Sequence, residues 1–214
     1  MCAWTALRQV QRERPAYGDG KTGPVESDPV RSWWREVISR TALGAGADPQ
    51  RTEDHLDEVV TELLHIFSSK EGYKLSDGAL QTMKTLNNEL GIRTGLVSNC
   101  DSRIVDALRD LKVANHLDPM VFSELEKCEK PDVRMWQVAC QRAGMEVKEA
   151  VHIGDEFDAD IVGATRAGVR AIWYRPSGQD THVEEDATGI VPEGVVVAKK
   201  LTDVVDIVRR WNQA

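Results

Sequence analysis

The chain has 214 residues, 41% of them hydrophobic, enough to bury a real core as one α/β domain or as a core domain with a small accessory one. With 35 Asp and Glu against 27 Lys and Arg, the net charge of -8 excludes nucleic-acid and anionic-membrane surfaces, which need clustered cations; an anionic substrate has to be attracted locally. No apolar run approaches the roughly 18 residues of a membrane span, and Cys2, Cys100, Cys128 and Cys140 form neither a CxxC pair nor a metal-finger spacing, so the expectation is reduced thiols in an intracellular, cytoplasmic or nuclear, protein.

Residues 1–26 join a short helix-compatible piece, Trp4 to Gln11, to a loop rich in Gly, Pro and charge. Arg8, Arg12 and Arg14 hint at a transit peptide, a hint diluted by Glu13 and Asp19. Gly20-Lys21-Thr22 matches the tail of a phosphate-binding loop, but the signature's first glycine would fall on Pro15 and no apolar strand leads in. Two amphipathic helices follow. Ser27 and Pro29 open the first, with Val30, Trp33, Val37 and Ile38 on one face; Asp48 and Pro49 open the second, with Leu56, Val59, Val60, Leu63, Leu64 and Phe67. The pair reads as a small helical subdomain. Trp33-Trp34 is either a substrate-facing aromatic surface or, as helical spacing favours, core.

After Tyr73 the pattern alternates helices with short buried strands. Ser76 opens a helix carrying Leu80, Met83, Leu86 and Leu90 that ends at Gly91. Strands are expected at 93–98, 120–123, 150–154, 169–174 and 195–198, and helices at 104–111, 131–143, 161–167 and 202–211. Such alternation implies an α/β fold with a mainly parallel sheet covered on both faces, Rossmann-like in its plan.

Three features stand at the carboxyl ends of expected strands, where open α/β sheets keep their ligands. Ser98-Asn99 offers a hydroxyl and backbone N–H groups to a phosphoryl oxygen; alternatively Asn99 or Asp101 caps the next helix. Lys130-Pro131 puts a lysine at a helix entrance, since proline in the first turn holds the preceding residue out of helical geometry. In Ala150-Val151-His152-Ile153-Gly154-Asp155, an apolar run stops at a glycine, and Asp155 and Asp160 follow five residues apart. Two carboxylates there suit a hard divalent cation such as Mg²⁺ alongside phosphate and water, although Asp155 could equally cap a helix and Asp160 lie on the surface.

This ordered set resembles motifs two, three and four of the haloacid dehalogenase superfamily, whose members are mostly Mg²⁺-dependent phosphatases. Residues 27–175 carry the resemblance, and Trp33-Trp34 with Val151-His152-Ile153-Gly154-Asp155 look closest to the haloacid-dehalogenase-like hydrolase domain-containing protein 3 group. The resemblance implies that Ser98 and Asn99 bind the phosphoryl group of a small phosphorylated molecule, that Lys130 bridges nucleophile and phosphate, and that Asp155 and Asp160 hold Mg²⁺. It also implies a partial helical cap over 1–72 and an α/β core over 73–214.

One departure outweighs the matches. The superfamily's first motif is a strand ending in Asp-x-Asp, the source of the aspartate nucleophile, and nothing in residues 1–26 matches it. The one formal match, Asp158-Ala159-Asp160-Ile161-Val162, falls inside motif four and is read as coincidence. Two functions therefore stay open: a hydrolase whose sequence here begins inside the cap, or a non-catalytic relative that binds. Either way Mg²⁺ is expected to bind weakly or not at all. The missing motif would also be the sheet's central strand, so the strands ending at Ser98 and Asp155 are expected to flank a gap whose unpaired edges invite oligomers or aggregates.

Overall fold

The computed structural model describes residues 3–18, 28–176 and 191–213; Cys2, Asp19, Gly20-Lys21-Thr22 and Ser27 lie outside the described residues. In chain order the helices are α1 (Ala3–Glu13), α2 (Pro29–Gly44), α3 (Pro49–Ile66), α4 (Ala79–Lys84), α5 (Ile104–Asp110), α6 (Ser123–Glu126), α7 (Arg134–Ala143), α8 (Gly163–Arg166) and α9 (Asp203–Gln213). The strands are β1 (Leu96–Ser98), β2 (Met120–Phe122), β3 (Val151–Gly154), β4 (Arg170–Tyr174) and β5 (Val196–Ala198). They fall into two compact units.

The first unit comprises residues 1–74, 99–112 and 122–129. Its long helices are capped by aspartates: the Asp28 and Asp48 carboxylates accept the N–H of Arg31 and Arg51, and a proline follows each cap. Val10, Tyr17, Trp33 and Val37 form its buried cluster. On α3 only Leu56 and Val60 of the expected stripe are buried, while Val59 and Phe67 are exposed. The apolar face is thus wider than the surface available to cover it.

The second unit comprises residues 75–98, 113–121 and 130–214. Here β3, β4 and β5 form a parallel sheet in that order, with Val151 opposite Arg170 and Ile172 opposite Val196; β1 and β2 form a separate pair. On α9, Val204, Val205, Ile207, Val208 and Trp211 recur at helical spacing, and four of them pack with Leu86, Ile172 and Ala198. Val151 joins that cluster, whereas its neighbour His152 meets Trp136 of α7 edge-on at 5.3 Å. Successive strand residues point to opposite faces, so α9 and α7 cover opposite faces of β3. The α/β layering expected from the sequence is present.

Two local expectations change. Ser76 caps no helix: α4 starts after Gly78, whose left-handed φ of 80° turns the chain, and the helix continues as a π-helical turn over Thr85–Glu89. Pro131 does not stand in the first turn of α7, which begins three residues later at Arg134.

Candidate functional site

In the second unit, the geometry begins with Gly154 at the end of β3. The chain turns there through a π-helical segment, Phe157–Val162, which carries Asp160 back against the strand end. A Cβ on Gly154 would collide with the Asp160 carboxylate, so the absence of a side chain is what lets that carboxylate approach the backbone. Phe157, buried against Trp173 with ring centroids 5.0 Å apart, pins the segment. The Trp173 indole donates to the Asp155 carbonyl at 3.1 Å and fixes the strand end.

Asp160 Oδ1 accepts from Lys130 Nζ at 2.6 Å and from His152 Nε2 at 2.8 Å, while Oδ2 accepts the Glu156 N–H at 3.1 Å. The Lys130, His152 and Asp160 side chains are 10%, 11% and 4% exposed. Burial works against the Asp160 charge, but the hydrogen bond from His152 and the Lys130 ammonium outweigh it and hold the carboxyl well below the usual carboxylate range. Lys130 and Asp160, 30 residues apart, are thus brought together; His152 completes the cluster unforeseen. Its signal was a lone polar residue inside an apolar strand, Val151-His152-Ile153.

The remaining site residues are placed differently. Asp155 is exposed, with its carboxylate outside the cluster. A cation shared by Asp155 and Asp160 would have to compete with Lys130 and His152 for Oδ1. Among the described residues no group of three His, Cys, Asp or Glu side chains is placed to hold a metal ion by itself, and Asp155 is the carboxylate at this strand end that Lys130 and His152 leave open. Asp158-Ala159-Asp160 lies within the π-helical segment rather than after a strand, and Asp160 is spent on its cations. Ser98 is half-buried as the last residue of β1.

Asn99 belongs to the first unit, where it lines a cavity of about 700 Å³ walled by Trp34, Val37, Ile38, Leu64, Phe67 and Tyr73. Asp101, also lining it, accepts from Arg103 Nε at 2.7 Å, Arg103 Nη2 at 2.8 Å and Trp34 Nε1 at 3.1 Å. It also takes the Arg103 N–H, but α5 starts beyond it with no side-chain cap, so Asp101 is an ion-pair partner more than a helix cap. Burial raises the Asp101 carboxyl, yet Arg103 wins and lowers it overall; burial pushes the Tyr17 phenol far up. Trp33 is core, its indole donating to the Arg14 carbonyl at 2.9 Å, and both tryptophans also face the cavity.

Residues 16–168 match the haloacid dehalogenase-like hydrolase family model. The chain is 33% identical over 141 residues to haloacid dehalogenase-like hydrolase domain-containing protein 3 of Mus musculus, covering 66% of this chain and 55% of that protein. It is 31% identical over 104 residues to a glyceraldehyde 3-phosphate phosphatase of Methanothermobacter thermautotrophicus, covering 47% of this chain and 46% of that one. Among solved structures it resembles a 2-haloacid dehalogenase from Pseudomonas syringae pv. Tomato, with TM-score 0.61, 26% identity, and 98% and 90% of the two chains covered. The chain therefore spans little more than half of the mouse relative.

Proposed function

The chain belongs to the haloacid dehalogenase-like hydrolase family, and on that premise we propose that its second unit retains the phosphoryl-binding half of a phosphatase of small phosphorylated metabolites, without the attacking half. The observation that carries this reading is the buried Lys130 ammonium held by Asp160 at 2.6 Å, at the end of a parallel strand. A desolvated, fixed cation stabilises an incoming phosphoryl oxygen more than a surface lysine does. Similarity to an archaeal phosphatase supports the substrate class. Ser98, at the carboxyl end of β1, supplies the hydroxyl donor in this reading.

Turnover needs a nucleophile, and among the described residues no strand ends in Asp-x-Asp. Asp160 cannot substitute, because three donors already occupy its oxygens. Asp155, held with water alone, would bind Mg²⁺ only weakly. These residues thus act as a binding module for a phosphoryl group.

A ³¹P NMR titration with inorganic phosphate tests this. Saturable broadening by the wild-type chain, reduced about tenfold or more in apparent affinity by Ser98→Ala, is the expected result, since a hydrogen bond to a charged group contributes ~1.5–3 kcal/mol. Equal broadening by both proteins, or none by either, overturns it.

A further inference from the structure

The first turn of α7 carries Trp136, 3% exposed, beside the cluster of Lys130, His152 and Asp160, all within the second unit. The His152 imidazole stands edge-on to its indole, at an interplanar angle of 89°. A further contact is made with Gly163, the first residue of α8. A Cβ built on Gly163 would collide with Cη2 and Cζ3 of the indole and come within 3.0 Å of the Pro131 Cα, so the outer edge of the indole and Pro131 both close on the Gly163 backbone. Both neighbours lead into the cluster. The Gly163 N–H donates to the Asp160 carbonyl, and Pro131 follows Lys130 in the chain.

Charge alone does not place an ammonium. Lysine is a point charge on a flexible four-carbon stem, so its position is set by its anchor. Here the anchor is Asp160 Oδ1 at 2.6 Å, and the same oxygen accepts the His152 N–H. Whatever fixes Asp160 and His152 therefore fixes Lys130, and Trp136 touches the backbone leading to one and the ring of the other. Among the described residues its buried indole N–H makes no hydrogen bond, so its hold is one of shape. A rigid ring in a close-packed interior passes displacement on rather than absorbing it.

We propose that Trp136 is the positioning residue for the Lys130 ammonium, acting through Gly163, Pro131 and His152 rather than through a bond of its own. The consequence for binding rests on the phosphoryl reading of Lys130; the geometry does not. A ring that only filled the core would alter stability when trimmed and leave the cluster where it is.

Opposed substitutions test this in the full chain. Trp136→Phe removes the outer carbons that face Gly163, whereas Gly163→Ala pushes a methyl into them. Each is read under conditions where circular dichroism shows the protein folded. The first readout is exchange of the His152 Nε2–H with water, followed by ¹⁵N-resolved NMR, since the bond to Asp160 shields that proton. The second is affinity for inorganic phosphate in ³¹P titrations. Each single variant is expected to speed the exchange and to weaken phosphate binding about tenfold, given that a displacement of about an ångström at a reacting group can cost about a hundredfold. In the double variant the methyl fills the trimmed space, and both readouts are expected to return toward wild type. A single variant that folds and leaves both readouts unchanged, or a double variant no closer to wild type than either single one, overturns the proposal. Each single variant decides by itself, so one that fails to fold leaves the other. If the wild-type chain takes no phosphate, it is the phosphoryl reading that fails, and the imidazole exchange alone decides for or against Trp136.

Discussion

Asp160 holds together three segments that sequence separation alone would scatter: the loop at Lys130, strand β3 through His152, and the turn at Glu156. Removing its charge takes from the buried Lys130 ammonium the carboxylate that holds it at 2.6 Å. Asp160→Asn is therefore expected to lower unfolding stability by about 3–5 kcal/mol in urea titrations, the range for breaking one side of a buried pair. Its folded-state value lies below the ordinary 3.8, so its contribution is complete above the unfolded value and is lost as pH falls through and below it. Wild-type stability should therefore drop from about pH 5 downward, more steeply than that of Asp160→Asn. Parallel curves for the two proteins over that window would contradict the account.

At the scale of elements, Gly154 joins strand to turn, and a methyl there meets the Asp160 carboxylate. Gly154→Ala is expected to cost about 1–3 kcal/mol, as overpacking does, and a calorimetric melt unchanged from wild type would show that the turn yields. Most elements here were legible because their apolar periods are clean: α2, α3 and α9 at helical spacing, β3 and β4 as short apolar runs closed by glycine or charge. The start of α4 was not, since Ser76 is a good cap but Gly78 takes the left-handed turn and the helix begins after it. The π-helical segments were also hidden, because 85–89 and 157–162 keep an apolar spacing that ordinary helices share. Order along the chain singles out Lys130, Asp155 and Asp160, of which the structure brings Lys130 and Asp160 together and leaves Asp155 exposed. His152 needed coordinates, because its role depends on which atoms face it after folding.

For the whole molecule, the decisive feature is that, among the described residues, the strands divide into β1-β2 and β3-β4-β5, which leaves β1 and β3 each with one edge without a strand. Unpaired apolar edges template association, so the purified chain is expected to gain mass with concentration in light scattering. A constant monomer mass across the same range would show that those edges are closed in solution. The same division bears on chemistry, since the central claim is that the chain keeps a phosphoryl-binding lysine without a nucleophile. The most direct measurement is p-nitrophenol release from p-nitrophenyl phosphate by the purified 214-residue chain with Mg²⁺ present. The account predicts a rate indistinguishable from the protein-free blank; turnover that survives purification and vanishes in Asp155→Asn would contradict it.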